Sequence, residues 1–485
     1  MSTRSTLAIL ALAPFLASAD NAAPAAPAEG VELAEESVFG FNAGADVRIR
    51  QEIMHNVPTL PGGGMVGNPA VKKLEAKNQM RFRARVWGEL TAGDHWRLYA
   101  RLCDEMRAGI VRKTHNATWP NEVVLDNLYI DGKRLFEGAV FDEGWVDFRA
   151  GREDLIGLFG LNHIFADGCP DVGSRSAYSD IVRAAFHYDK DTWLDVFGIF
   201  NKDREQVRLG TKRSYRGTQL SGFGGNDTEM DDWGFGAIFN SRVDLLKYQL
   251  MWIQKDTASF HRRGVKHPRR NVNMFGVKLA PEWTENLTTP LEGYVQVGEN
   301  GENRDLLAWA AYAGFDWRDN SAESWRPFWS GGLLAFSGDR HAADEDGGRN
   351  AWDPMWYRGV DDSEMMAYGS LYGGCWWSNM YNLKTTAGVE FARRHKVSLM
   401  ASAMFAEEKD GLGGGSGMFK GFLTQARYDF PLFPSFFGSG SDPEKTGLKR
   451  FEMFGHILLE FFNPGDYFES SKPAYFVRWQ VDFKF

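Results

Sequence analysis

Cysteine is scarce: Cys103, Cys169 and Cys375 are the only three in 485 residues. An odd, widely spaced set is no disulfide framework, and no pair has the spacing of a metal site. Stability must therefore come from a large closed structure. No stretch approaches the roughly 20 apolar residues of a membrane-spanning helix. Helical i, i+3, i+4 stripes are also scarce, apart from short turns expected near 154–161. The net charge is −9, which gives no support for nucleic-acid binding. Neither GxSxG nor HExxH occurs, and "GFGGND" at 222–227 follows no strand–helix phosphate context. We expect no enzyme, no cofactor and no resident metal.

The N-terminus points to export. Arg4 precedes an apolar run over 7–16 that closes on the small residues Ala17, Ser18 and Ala19. The run is too short to span a bilayer and reads as a secretory signal peptide, 1–19, cleaved after about Ala19. Residues 20–38, with "NAAPAAPAEG", read as a flexible lead-in, which leaves 39–485 as the folded part.

The chain ends "YFVRWQVDFKF". Tyr475, Val477, Trp479, Val481, Phe483 and Phe485 form one row of a strand, and Arg478, Gln480, Asp482 and Lys484 form the other. The same period of two recurs in "QMRFRARVWGEL", "WRLYARLC", "ADVRIRQE" and "VDFRAGR", and less cleanly in "NVNMFGVKLA". A mean hydropathy of −0.38 alone would describe a soluble protein. Seventeen Trp and 14% aromatics argue instead for girdles at two membrane interfaces. About eighteen strands are expected, starting near Phe41, Gln79, His95, Val123, Trp145, Ile181, Thr192, Trp233, Lys247, Asn271, Leu291, Leu306, Arg326, Tyr381, Lys396, Leu423, Arg450 and Ala474. The pattern over 355–380 is the weakest.

Connections alternate in length, as in a transmembrane barrel with long extracellular loops and short periplasmic turns. The segments 56–77, 105–121, 153–180, 202–231, 256–270, 337–363 and 407–421 are mostly long; those near 91–94, 188–192 and 392–396 are tight. The inner segment 431–449 breaks the rule and reads either as a flap at the periplasmic mouth or as an overlooked hairpin. The fold class is therefore an all-β, antiparallel outer-membrane barrel. Its terminal strand, ending at Phe485, is suited to recognition by the barrel-assembly machinery.

Basic rows on adjoining strands form the sharpest chemical signal: Arg48 and Arg50, then Arg81, Arg83 and Arg85, then Arg97 and Arg101. Arg149, Arg183, Lys278 and Arg427 occupy inward positions elsewhere. Such a wall attracts carboxylate or phosphate through the planar guanidinium fork. The bland reading is that lumen charges pair with one another, with Glu89, Asp147, Glu390 and Asp482 as counter-charges. Arg107, Arg112, Lys113 and His115 read as a basic outer loop, and "HRRGVKHPRR" at 261–270 as a surface for lipopolysaccharide phosphate. The acidic runs at 226–232 and 340–348 lack the ordered spacing of a calcium loop and read as solvated.

The runs "NQMRFRARVWGEL…WRLYARL", "NLYIDGK", "VDFRAGREDL" and "DVGSRSAYSDIVRAAF", with the terminal Phe strand, resemble the alginate export family of eighteen-stranded outer-membrane barrels. "AGRED" around Arg152 is the most recognisable piece. The resemblance implies passive export of an anionic uronic-acid polymer through a pore lined by Arg and Lys. It implies Arg152 at the constriction and 431–449 as a periplasmic gating loop. The expected function is an outer-membrane channel for an acidic polysaccharide or its oligomers, as a monomer. The alternatives are a general or small-anion porin of the same architecture and, from another class, a secreted all-β carbohydrate-active enzyme.

Overall fold

The computed structural model describes residues 39–57, 76–109, 123–139, 144–153, 158, 163–164, 178–201, 208–209, 231–262, 265–301, 304–320, 324–339, 350–356, 363–365, 378–392, 394–409, 413–433 and 452–485. The expected segments 1–19 and 20–38, the loop residues Arg112, Lys113 and His115, the acidic run 340–348 and nearly all of 226–232 and 431–449 lie outside these residues.

Eighteen long strands make the wall. They are β1 (Phe39–His55), β2 (Ala76–Ala92), β3 (Trp96–Gly109), β4 (Val123–Leu135), β5 (Trp145–Glu153) and β6 (Ser179–His187). Next come β7 (Trp193–Asn201), β8 (Asp232–Val243), β9 (Leu246–Thr257), β10 (Arg270–Thr284), β11 (Leu291–Asn300) and β12 (Asp305–Arg318). The last six are β13 (Trp325–Phe336), β14 (Met380–Phe391), β15 (His395–Phe405), β16 (Phe419–Phe433), β17 (Glu452–Pro464) and β18 (Ala474–Lys484). Each pairs antiparallel with its sequence neighbours, and β1 pairs with β18 from Asp46↔Lys484 to His55↔Tyr475. The sheet has no free end: it is a closed up-and-down barrel. Phe485 seals the seam, its N–H donating to the Ala45 carbonyl at 2.9 Å.

The strand starts fall within a few residues of those expected, and β4, β5, β11 and β18 begin on the expected residue. One boundary differs. β3 continues to Gly109, which puts Arg107 opposite Arg81 in the sheet rather than in an outer loop. β16 and β17 pair directly, so no further wall hairpin separates them.

Outward rows are apolar. Leu399, Leu383, Leu250, Leu333 and Leu459 stand exposed on the outer surface, which only a lipid solvent makes favourable in such numbers. Aromatics ring both rims. Trp96, Tyr188, Trp283 and Trp325 sit on the side of the short turns; Phe200, Trp233, Phe405, Phe461 and Tyr475 sit on the other. These are the girdles of a membrane-spanning barrel. The shortest strands, β5 to β7, have nine residues each, enough at ordinary tilt to cross an apolar layer of about 25 Å.

Gly151 in β5 has φ +132°, and a Cβ there would stand 2.2 Å from the Leu128 carbonyl oxygen. Only glycine fits this close approach of β4 and β5.

Candidate functional site: the lumen wall and its inward-folded segments

The inner surface divides into two unlike arcs. From β16 through the seam to β7 it is charged. From β8 to β15 it carries a large apolar patch among polar residues, with Ile238, Met251, Ile253, Val272, Met274, Tyr294, Ala308, Ala310, Met400 and Met404 buried. A strand that is apolar on both faces must be covered on both. Lipid covers one side, and two outer connections cover the other: Leu158 and Ile164 from the β5–β6 connection, and Trp352, Met355, Trp356 and Met365 from the β13–β14 connection.

These segments are fastened by buried wall side chains. Glu292 of β11 accepts the backbone N–H groups of His163 and Ile164 at 2.9 and 3.2 Å, with the Tyr294 hydroxyl donating to it at 3.1 Å. The His163 ring stacks on Tyr312 at 3.9 Å between centroids. Glu460 of β17 does the same for the second segment, accepting from the N–H groups of Glu364 and Met365 at 3.1 and 2.7 Å and from Gln425 Nε2 at 2.8 Å. Higher on the apolar arc, Gln296 exchanges two hydrogen bonds with the Asp353 backbone, at 2.6 and 2.9 Å. Lys255 Nζ donates to the Met355 carbonyl at 2.9 Å, and Trp356 Nε1 donates to Asp232 at 3.1 Å. Arg270 pairs with Asp353 at 3.0 Å. Burial pushes the Asp353 carboxyl up, but Arg270 and Lys255 beside it outweigh that and hold it below the ordinary range.

Alternation from the register puts eleven of the twelve candidate residues on the inward rows: Arg48, Arg50, Arg81, Arg83, Arg85, Arg97, Arg101, Arg149, Arg183, Lys278 and Arg427. Arg152 is the exception. It pairs with Leu128 and Asp180, on the row of the outward Val182 and Ala150, and its Nε donates to Asp180 Oδ1 at 2.8 Å. Arg149 and Arg152 are three residues apart, so a strand cannot turn both inward. Arg152 does not line the lumen.

Counter-charges accompany the inward cations. Glu52 holds Arg50 at 2.9 Å and Arg81 at 3.2 Å; Asp46 holds Arg83 at 3.1 Å and Arg85 at 2.7 Å. Asp126, in a bulge of β4, takes Arg101 through two bonds of 3.0 and 2.9 Å. Asp131 is shared by Arg97 and Arg149, which reach Glu89 and Glu153 as well. Arg183 pairs with Asp195, Arg427 with Asp429 at 2.7 Å, and Lys278 lies 3.9 Å from Glu292. A stack of Trp87, Tyr99 and Tyr129, with centroids 6.1 and 5.1 Å apart, is capped by the Arg149 guanidinium at 4.3 Å and stiffens the lower part of this arc.

Among the described side chains, one place has more cation than anion. Across β1 and β2, Arg48 stands opposite Arg83 and Arg50 opposite Arg81, a two-by-two grid of buried guanidiniums. Like charges directly opposite one another are unfavourable, and Asp46 and Glu52 at its two ends relieve them only in part. With Arg85, Arg101 and Arg478, seven guanidiniums here face six carboxylates among the described side chains: Asp46, Glu52, Asp126, Asp482, Glu460 and the loop residue Glu364.

The sequence reading missed the apolar inner arc and the fasteners Glu292, Gln296, Glu460 and Glu364. Arg478 was visible on the wet row of the last strand without being assigned a site. The available signal was the spoiled alternation of "NVNMFGVKLA", where the inward row carries Val272 and Met274 instead of charges.

No protein-family model matches the chain, and no curated protein does. Solved structures do. OccK5 (OpdH) of Pseudomonas aeruginosa superimposes with a TM-score of 0.52 at 8% identity, over 91% of this chain and 97% of that one. OccAB1 of Acinetobacter baumannii gives 0.51 at 8%, over 91% and 96%. The chain has the fold of these barrels. At such identity the likeness speaks of architecture alone.

Proposed function

We propose that the protein is an outer-membrane channel for small hydrophilic solutes that favours carboxylate-bearing anions. The observation that carries this reading is the grid of four inward guanidiniums across β1 and β2, bounded in those rows by Asp46 and Glu52, facing inward-folded segments fastened to the wall. The Arg48–Arg50–Arg81–Arg83 grid gives a passing carboxylate partial replacement for its hydration. The nearby Asp46 and Glu52 keep each site weak, so that the solute leaves again. No covalent step is needed, and the concentration gradient drives transport.

A polymer path is the second reading, favoured by the resemblance of the strand motifs to the alginate export family and by the same grid. Against it, Leu158, His163, Ile164 and the stretches 352–356 and 363–365 occupy lumen that a polyuronate chain would thread. The reading also includes export by residues 1–19, assembly through the Phe485 strand, contact of 261–270 with lipopolysaccharide phosphate, and a monomeric state.

The test is single-channel current of the refolded protein in a planar bilayer under a salt gradient, with small carboxylates and then polyuronate added. Anion selectivity with competition by small carboxylates supports the first reading, and block by polyuronate with passage of its oligomers supports the second. A cation-selective conductance indifferent to carboxylates overturns both.

A further inference from the structure

Glu364 brings a carboxylate from an outer connection to the barrel wall, where Arg478 Nη1 donates to its Oε1 at 2.6 Å. Both residues are buried, Arg478 at 1% and Glu364 at 6% exposure. The same Nη1 lies 3.9 Å from Glu52, so Glu364 is the nearer of its two anions. Arg478 Nε donates to His456 Nε2 at 3.0 Å, a bond that requires that ring nitrogen to be unprotonated. The position of Glu364 is built in, since Glu460 grips its backbone N–H and that of Met365. Among the described residues, the charged groups joined here are Arg50, Arg81 and Arg478 against Glu52, Glu364 and Glu460, three of each sign. Without Glu364 the balance becomes three to two.

We propose that Glu364 sets the selectivity of the channel by filling, from within the chain, the Arg478 site that a solute carboxylate would otherwise occupy. The inference rests on the anion-channel reading. A tethered carboxylate competes at the high effective concentration of an intramolecular partner, so dilute solutes do not displace it. Arg478 sits in the charged arc beside the grid. Left open, it would hold an anion through an undiluted charge-assisted hydrogen bond and slow its exit. Self-occupancy keeps the wall attractive without making it a trap.

The test compares the full-length protein with Glu364→Ala and Glu364→Gln in planar bilayers, reading the reversal potential in a KCl gradient and the block by propionate. Propionate is the free analogue of the glutamate side chain; propionamide is its neutral control. In both variants the reversal potential moves toward the anion value. In the alanine variant propionate block tightens about tenfold while propionamide has no effect. The glutamine variant preserves the shape of the segment and covers the case in which alanine prevents assembly. If conductance rises without any gain in anion preference, Glu364 is merely a fastener and the proposal falls. Unchanged selectivity and block in folded variants overturn it too. A wild-type protein that carries no current fails the channel reading itself, which is a separate outcome.

Discussion

Replacing Glu460 with alanine leaves the N–H groups of Glu364 and Met365, and Nε2 of Gln425, without the acceptor that now holds them at 3.1, 2.7 and 2.8 Å. A buried donor left without its acceptor costs about 1–3 kcal/mol, so the two backbone N–H groups amount to about 2–6 kcal/mol. The variant also avoids the cost of burying the carboxylate, which puts the net loss near the lower end. About 3 kcal/mol shifts the ratio of seated to released segment roughly 150-fold. The lumen offers water to the freed N–H groups, so release is favoured over leaving them buried and unsatisfied. Single-channel recordings of Glu460→Ala should show higher and noisier conductance, and limited proteolysis should cut the β13–β14 connection faster, while heat-modified gel mobility of the barrel stays unchanged. A variant with the wild-type conductance level and the wild-type protease pattern would refute the reasoning that this carboxylate seats the segment.

Further outcomes follow from other parts of the wall. Neutralising the grid in the double variant Arg50→Gln, Arg81→Gln should lower the anion-to-cation permeability ratio several-fold in 0.1 M salt, with the difference shrinking near 1 M as the Debye length falls to about 3 Å; reversal potentials at the two strengths check this. Leu399→Arg, on the lipid face near mid-height of β15, should destabilise the barrel by about 2–4 kcal/mol, read from the urea midpoint of unfolding from vesicles. Gly151→Ala should weaken the β4–β5 pairing, because its Cβ meets the Leu128 carbonyl oxygen at 2.2 Å in a left-handed backbone region, and a lowered denaturation midpoint would show it.

The barrel was largely legible in the sequence, because each strand states its own period. "QMRFRARV" separates Arg81, Arg83 and Arg85 from Met80, Phe82 and Ala84 without help from its neighbours, and β2 carries them as read. Sidedness also follows from local parity, and the placement of Arg152 beside Arg149 in the lumen disregarded it. The inner architecture was not legible, because it depends on contacts between distant segments. Nothing in the spacing around Glu292 or Glu460 announces that each grips two successive N–H groups of a segment roughly a hundred or more residues away. The pairing of Arg with carboxylate was foreseen as the bland reading, and the distances bear out pairing for most of the row. The grid across β1 and β2 became visible only once the register set Arg48 against Arg83.

The seam has a consequence for assembly. Every wall junction except one joins strands that are neighbours in sequence, whereas Asp46↔Lys484 joins residues at opposite ends of the folded chain. Closing a short hairpin costs little chain entropy, and joining the two ends costs more, though the cost grows only logarithmically with loop length. The strands can therefore associate hairpin by hairpin as a widening open sheet, with the β1–β18 pairing made last. Until then the edges of β1 and β18 are unpaired donors and acceptors facing lipid, where they cost most. The final step is thus a single zipper event whose slider is the pair Ala45–Phe485.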